Sequence, residues 1–218
     1  MKKRWAAILF WGGMWGISEA TAAYLIHLFL PGLGWALYYP LAFGFMYGVY
    51  RQTGKAPDIL YAALLSAAIK LVNIPMVPRL DYVINPAVSI LLEGLAALWA
   101  FPLVISAKEK HPWPQYAALV LFTGALWRML YLTYLSLAPT WIRDVSFLTD
   151  AAKLQQFAGL ELLGGTAVIW AGSLGVSLLM KLWARRKRAT GASILSGKAF
   201  GPISLAVAGL SIFLNWVL

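Results

Sequence analysis

Apolar residues occur in long blocks in this sequence, and this pattern limits the folds that the chain can adopt. A block of about 20 apolar residues matches the thickness of the hydrocarbon core of a bilayer. Each block is expected to be a helix, because a helix satisfies its own backbone hydrogen bonds in lipid. We therefore predict an all-α fold, a polytopic bundle of transmembrane helices that forms a single domain over residues 1–218.

The blocks predict about seven membrane spans, with prolines near most of their ends. The predicted spans are residues 5–30, 33–50, 58–76, 84–106, 115–137, 157–183 and 200–218. The count is about six if the first block is a cleaved signal peptide, an alternative that the small residues at positions 20–23 leave open. Residues 138–156 are predicted to form an external loop or surface helix, and residues 184–199 a basic cytoplasmic linker.

The basic residues predict the orientation of the bundle, because cytoplasmic loops carry an excess of lysine and arginine. One side of the membrane would hold Lys2, Lys3, Arg4, Arg51, Lys55, Lys108, Lys110, Lys181, the basic run 185–188 and Lys198. The other side would hold only Arg79, Arg143 and Lys153. We expect a multi-pass protein of the cell membrane, with a cytoplasmic N-terminus and an external C-terminus. This loop bias also accounts for the net charge of +10, so we expect a lipid bilayer and no nucleic acid as partner.

Several kinds of chemistry lack the residues that they need. The chain has no cysteine, which excludes disulfides and thiolate metal sites. No phosphate-binding glycine loop, zinc-protease helix or hydrolase serine motif is present in the sequence. We therefore expect no metal and no cofactor, and we do not expect an enzyme as the first interpretation.

Ionisable side chains inside the predicted spans are the main functional signal. They are Glu19, Lys70, Glu93, Arg128 and Glu161. Each costs roughly 2.5–3.5 kcal/mol at the centre of a membrane helix, and such residues usually face the bundle interior. Four of the five would lie within about 6–14 Å of the outer surface. Together with His27 they predict an outward-facing substrate-binding site, for which Tyr24, Trp127 and Tyr131 would supply flat walls for a ring-shaped ligand.

The same charges also have a structural interpretation, in which they pair to join helices. Glu93 would pair with Arg128, and Glu19 with Lys70. Glu161 would then be left over, and its negative charge favours a cationic or zwitterionic ligand.

Small residues recur every four positions in the first span, at Gly12, Gly16 and Ala20. This spacing allows two helices to approach closely. The small-residue face would either pack inside the protein or contact a partner subunit.

These features resemble the substrate-binding S component of an energy-coupling factor transporter. The resemblance is carried by Gly12, Gly16 and Ala20 and by the stretch 17–32, in a small, very hydrophobic chain with a cytosolic N-terminus. It implies a vitamin-like or metal-ion ligand on the outer side, and a transmembrane coupling subunit with ATPases that drive its release. The small-residue face would then contact that subunit. S components usually have six spans, whereas about seven are predicted here.

Three classes of function follow from the sequence. The first is a membrane transport component that binds a small polar or cationic solute. The second is a membrane-embedded enzyme acting on a lipid-soluble substrate, with Glu19 or Glu161 as acid or base. The third is a scaffold protein whose charges only pair helices.

Overall fold

The computed structural model of the protein describes the backbone of residues 3–29, 35–106, 113–142, 146–186 and 200–217. Side chains are described for residues 3–21, 38–106, 114–142, 148–175 and 200–215. All regular structure in these ranges is helical, as the apolar blocks predict.

The helices are numbered in chain order. They are α1 (Lys3–Phe29), α2 (Trp35–Thr53), α3 (Pro57–Leu71), α4 (Asp81–Val104), α5 (Trp113–Leu137), α6 (Ser146–Thr149), α7 (Ala151–Gln155), α8 (Glu161–Arg186) and α9 (Phe200–Val217). A 3₁₀ turn (Ile74–Met76) follows α3, and a π-helical turn (Gln156–Leu160) joins α7 to α8.

Four helical segments of the described chain are long and apolar enough to cross a membrane. They are Pro57–Met76, Asp81–Val104, Pro114–Leu137 and Ala151–Gly175. The prediction of an all-helical membrane protein is confirmed at this level. The number of spans and their orientation stay predictions.

The helix ends agree with the predicted spans to within about five residues, and the start of α4 has a local explanation. This helix begins at Asp81, so Pro86 lies inside it instead of in its first turn. The Asp81 carboxylate accepts hydrogen bonds from Arg79, and an acidic residue in a first turn interacts favourably with the helix dipole. These contacts explain the earlier start.

The predicted connections are described only in part. Within residues 138–156, α6 and α7 are short helices, and α7 continues through the π-helical turn into α8. Residues 184–186 of the predicted linker belong to the end of α8, and the rest of the linker lies outside the described residues.

Helix α1 is central to the packing, because it contacts α2, α3 and α9. Helices α3, α4 and α5 pack side by side in chain order, and α8 packs against α2 and α5. The main core lies among α2, α4 and α5, where Phe43, Phe101 and Leu119 are fully buried. Helix α2 contacts α1, α3, α4 and α8 and therefore lies among them.

The small-residue face of α1 packs inside the protein. A Cβ atom at Gly12 would lie 2.9 Å from the Ala62 carbonyl oxygen of α3. A Cβ atom at Gly16 would overlap Ser211 Oγ of α9, and Ala20 is only 7% exposed. Of the two expectations for this face, the structure has the internal one. The contact with a partner subunit predicted for Gly12, Gly16 and Ala20 would need an open face, and here α3 and α9 cover it.

An ion pair joins α1 to α3 near their first turns. Arg4 Nη2 lies 2.6 Å from Asp58 Oδ1, and the Asp58 side chain is fully buried. Arg4 Nε also donates to both carboxylate oxygens. These hydrogen bonds raise the pKa of Arg4, so the arginine stays charged and the pair persists at ordinary pH.

Candidate functional site

Arg128 lies on α5 at the centre of the predicted site and is only 3% exposed. Its Nε donates a 2.9 Å hydrogen bond to the Phe157 carbonyl, and its Nη1 donates a 3.1 Å bond to the Gly124 carbonyl. Two backbone carbonyls, one on each of two elements, therefore hold the guanidinium in place.

The π-helical turn before α8 explains how the Phe157 carbonyl becomes an acceptor for Arg128. In a regular α-helix, the Glu161 N–H would bond to this carbonyl, four residues earlier. In the protein the Glu161 N–H instead bonds to the Gln156 carbonyl, five residues earlier. The turn thus directs one carbonyl to Arg128 and places Glu161 immediately after it. Single π-helical turns inside helices occur frequently at functional sites.

Aromatic rings surround the Arg128 guanidinium. Its Cζ lies 4.7 Å from the ring centre of Trp127 and 5.4 Å from those of Tyr39 and Phe157. The Tyr39 hydroxyl donates to the Val120 carbonyl at 2.9 Å, which fixes its ring against α5. Cation–π attraction offsets part of the cost of burying the positive charge.

The structure brings the predicted charges of five elements into one electrostatic network. Arg128 interacts electrostatically with Glu93 of α4 and with Glu161 of α8. Glu93 also interacts with Glu19 of α1, and Glu19 interacts with Lys70 of α3. Pairwise electrostatic interactions therefore link the five residues that were singled out in the sequence. We call them the charge network.

The members of the charge network do not form direct ion pairs with each other. Among the described residues, a basic nitrogen lies within 4.0 Å of a carboxylate oxygen only in Arg4–Asp58 and Arg79–Asp81. The predicted pairs Glu93–Arg128 and Glu19–Lys70 therefore interact only across longer distances. For Arg128 the reason is geometric, because backbone carbonyls hold its guanidinium.

Two acids of the network differ in their surroundings. Glu93 is 7% exposed, and its polar neighbour on α4 is Ser89, one turn earlier. Glu161 is partly exposed and accepts a 3.2 Å hydrogen bond from Gln156 Nε2. Within the charge network, the most deeply buried opposite charges are thus Glu93 and Arg128.

The remaining predicted polar and aromatic residues are divided. The side chains of His27 and Tyr24 lie outside the described residues. Tyr131 contacts the site, since its ring centre lies 6.2 Å from that of Trp127 and 5.9 Å from that of Phe157. Asn85 instead links α4 to α5 and to the segment that follows α5. It accepts a hydrogen bond from the Tyr134 hydroxyl and donates one to the Ile142 carbonyl.

Three groups at the site were missed in the sequence: Tyr39, Ser89 and the Phe157 carbonyl. Tyr39 stands in an aromatic stretch before Pro40, and no pattern distinguishes it from its neighbours. The Phe157 carbonyl accepts from Arg128 because of the π-helical turn, and no sequence pattern in residues 156–160 predicts that turn. Buried Asp58 was also missed as an ionisable group inside the bundle, because it stands at the edge of its predicted span.

No protein-family model matches the chain, and no curated protein or solved structure matches it. The resemblance to S components therefore rests on the architecture and on the residues quoted for it. The charge network is the feature of the structure that indicates a function.

Proposed function

We propose that the protein is a membrane transport component that binds a small polar solute at the charge network. The observation that carries this proposal is the state of Glu93 and Arg128. Both are more than nine-tenths buried and interact electrostatically, yet neither has an ion-pair partner among the described residues. Unpaired buried charges are costly, and intramembrane ionisable residues commonly mark solute pathways. A solute with complementary charges would recover that cost on binding.

The site would open to the outer side of the cell membrane, with Glu19, Lys70, Glu93, Arg128 and Glu161 around the solute and His27 at its border. The orientation proposed is a cytoplasmic N-terminus and about seven spans. As in the S components that the chain resembles, a transmembrane coupling subunit with ATPases would drive release. The bound solute would be vitamin-like in size and polarity.

The scaffold interpretation has less support from the geometry. If the charges served only to join helices, direct ion pairs would be expected, as between Arg4 and Asp58. In the network, Arg128 instead bonds to two carbonyls, and Glu93 lies beyond ion-pair distance.

Native mass spectrometry of the gently extracted protein tests the proposal. We expect a retained small molecule, co-purifying subunits that include an ATPase, or both. The molecule should be lost on mild activation, which separates it from tightly held lipid. A bare chain, with neither solute nor partner, would contradict the transport proposal and favour the enzyme and scaffold alternatives.

A further inference from the structure

We propose that the solute is a zwitterion whose carboxylate binds Arg128 and whose ammonium group binds Glu93. This inference rests on the proposed function and specifies the chemical class of its ligand. It is drawn from two buried opposite charges that interact electrostatically but form no ion pair with each other.

Arg128 has hydrogen-bonding capacity for an anion. A guanidinium carries five N–H donors, and the Phe157 and Gly124 carbonyls use two of them. No described residue accepts a hydrogen bond from Nη2. A carboxylate suits the remaining donors, because its two oxygens match the fork of a guanidinium. The protein has therefore fixed the orientation of this side chain while leaving part of it available.

Glu93 provides the opposite half of the site. Its side chain is nearly buried and interacts electrostatically with Glu19 of α1. No lysine or arginine nitrogen among the described residues lies within 4.0 Å of its carboxylate oxygens. Two neighbouring carboxylates repel each other, so an ammonium group near them would be stabilising. Lys70 interacts with Glu19, which leaves Glu93 as the main acceptor.

The two most buried members of the charge network select a ligand with both charges. Glu93 and Arg128 carry opposite charges when ionised, and both are more than nine-tenths buried. Glu19, Lys70 and Glu161 are each partly exposed. A simple cation or a simple anion would leave one of the two buried groups without a partner, whereas a zwitterion would satisfy both.

The test compares ligands that differ by one charged group. Thermal stabilisation and equilibrium binding of the purified full chain would be measured with L-phenylalanine, phenethylamine and hydrocinnamate, alongside a panel of the other free L-amino acids and glycine betaine. We expect at least one zwitterion of the panel to bind. Its matched amine and matched acid, each lacking one charge, should bind about tenfold more weakly or worse.

Variants assign the two halves of the ligand. In Glu93→Gln the preference for the zwitterion over the matched acid should fall to about one, because the ammonium group loses its partner. In Arg128→Lys the bidentate geometry is lost, and binding should weaken about tenfold or more. Arg79→Lys makes the same change at an exposed arginine and should bind like the wild type. If Arg128→Lys does not fold, the Glu93→Gln ratio still decides.

The outcomes separate this inference from the proposed function. Equal binding of the zwitterion and its matched amine would overturn the inference and indicate a cation site. Equal binding of the zwitterion and its matched acid would indicate an anion site. Absence of binding by the whole panel, with a retained solute that is not a zwitterion in native mass spectrometry, would overturn the zwitterion and keep transport. Absence of both would overturn both proposals.

Discussion

Single acidic residues in the charge network differ in what they contact, and this difference predicts how solute binding depends on them. Glu19 interacts with both Lys70 and Glu93, whereas Glu161 interacts with Arg128 from a partly exposed position. Both carboxylates are partly exposed and would contribute charge to the site, but Glu161 already accepts a hydrogen bond from Gln156.

Neutralising either acid should therefore weaken solute binding without unfolding the protein. We expect Glu19→Gln to weaken it about tenfold or more, and Glu161→Gln to have the smaller effect. The measurement is the dissociation constant of the solute identified by native mass spectrometry, with the apparent melting temperature as a check of folding. Asp81→Asn, whose carboxylate interacts with Arg79 instead, is the control. Wild-type affinity in both glutamine variants would remove the network as the binding site.

Asp58 offers a residue whose role is structural, because its buried carboxylate contacts Arg4 of another helix. Asp58→Asn should lower the apparent melting temperature in detergent by about 2–4 °C, since Arg4 loses its charged partner. Solute affinity should stay unchanged.

A double-mutant cycle with Arg4→Gln isolates this interaction. The double variant should lose less stability than the two single losses combined, because the second change removes a pair that is already broken. Strict additivity would show that the ion pair contributes nothing.

Sequence reasoning at the residue scale identified which charges matter but not what they contact. Glu93 and Arg128 stood out because charge is costly in lipid. The direct ion pair predicted between these two residues is wrong, because the Arg128 guanidinium donates hydrogen bonds to the Phe157 and Gly124 carbonyls instead. Contacts of this kind depend on which helices are neighbours and on local backbone geometry. Neither of these can be read from the order of residues along the chain.

At the scale of elements, hydropathy predicted the helices well, and local exceptions escaped it. The ends of α5 and α9 were predicted closely, since each coincides with the end of an apolar block. The π-helical turn at 156–160 was not predicted, because its hydrogen bonds shift by one residue without any change in hydropathy. Because of that shift, the Phe157 carbonyl accepts a hydrogen bond from Arg128.

Close packing of α1 against α3 predicts that Gly12 is sensitive to a single methyl group. In Gly12→Ala the new Cβ would lie 2.9 Å from the Ala62 carbonyl oxygen, which belongs to a rigid helix backbone. We expect a loss of about 1–3 kcal/mol in stability, measured as a lower melting temperature. Gly44→Ala is the matched control, because a Cβ there meets no atom within 4 Å.

The same pair of variants distinguishes internal packing from a partner interface. If the small-residue face contacts a coupling subunit during transport, Gly12→Ala would reduce co-purification of that subunit while leaving the melting temperature unchanged. Loss of stability in the isolated chain would instead show that the face is internal, as in the structure.

At the scale of the whole molecule, the topology of the chain decides which side of the membrane the charge network faces. Four helical segments are long and apolar enough to cross a membrane, and α1, α2 and α9 complete the predicted count. An odd count places the two termini on opposite sides of the membrane. The side that carries the basic loops then decides whether the network faces outward.

The absence of cysteine from the chain allows this topology to be tested cleanly. A single cysteine at Ala152, in the predicted external connection, should react with a membrane-impermeant maleimide in intact cells. A cysteine appended after Leu218 should react likewise, because the C-terminus is predicted to be external. Lys55→Cys, in the basic loop after α2, should react only after permeabilisation. Each position needs one labelling experiment with and without permeabilisation, and the unmodified chain supplies the unlabelled control.

The labelling pattern discriminates among the possible topologies. Labelling of Ala152→Cys without labelling of the appended cysteine would mean that α9 does not cross, and it would reduce the count to an even number. Labelling of Lys55→Cys in intact cells would mean that the orientation is the reverse of the predicted one. The proposed site would then face the cytoplasm. The expected pattern places the basic loops inside, where the resemblance to S components requires them. Only in that arrangement would Glu93 and Arg128 lie in the path of a solute captured from outside.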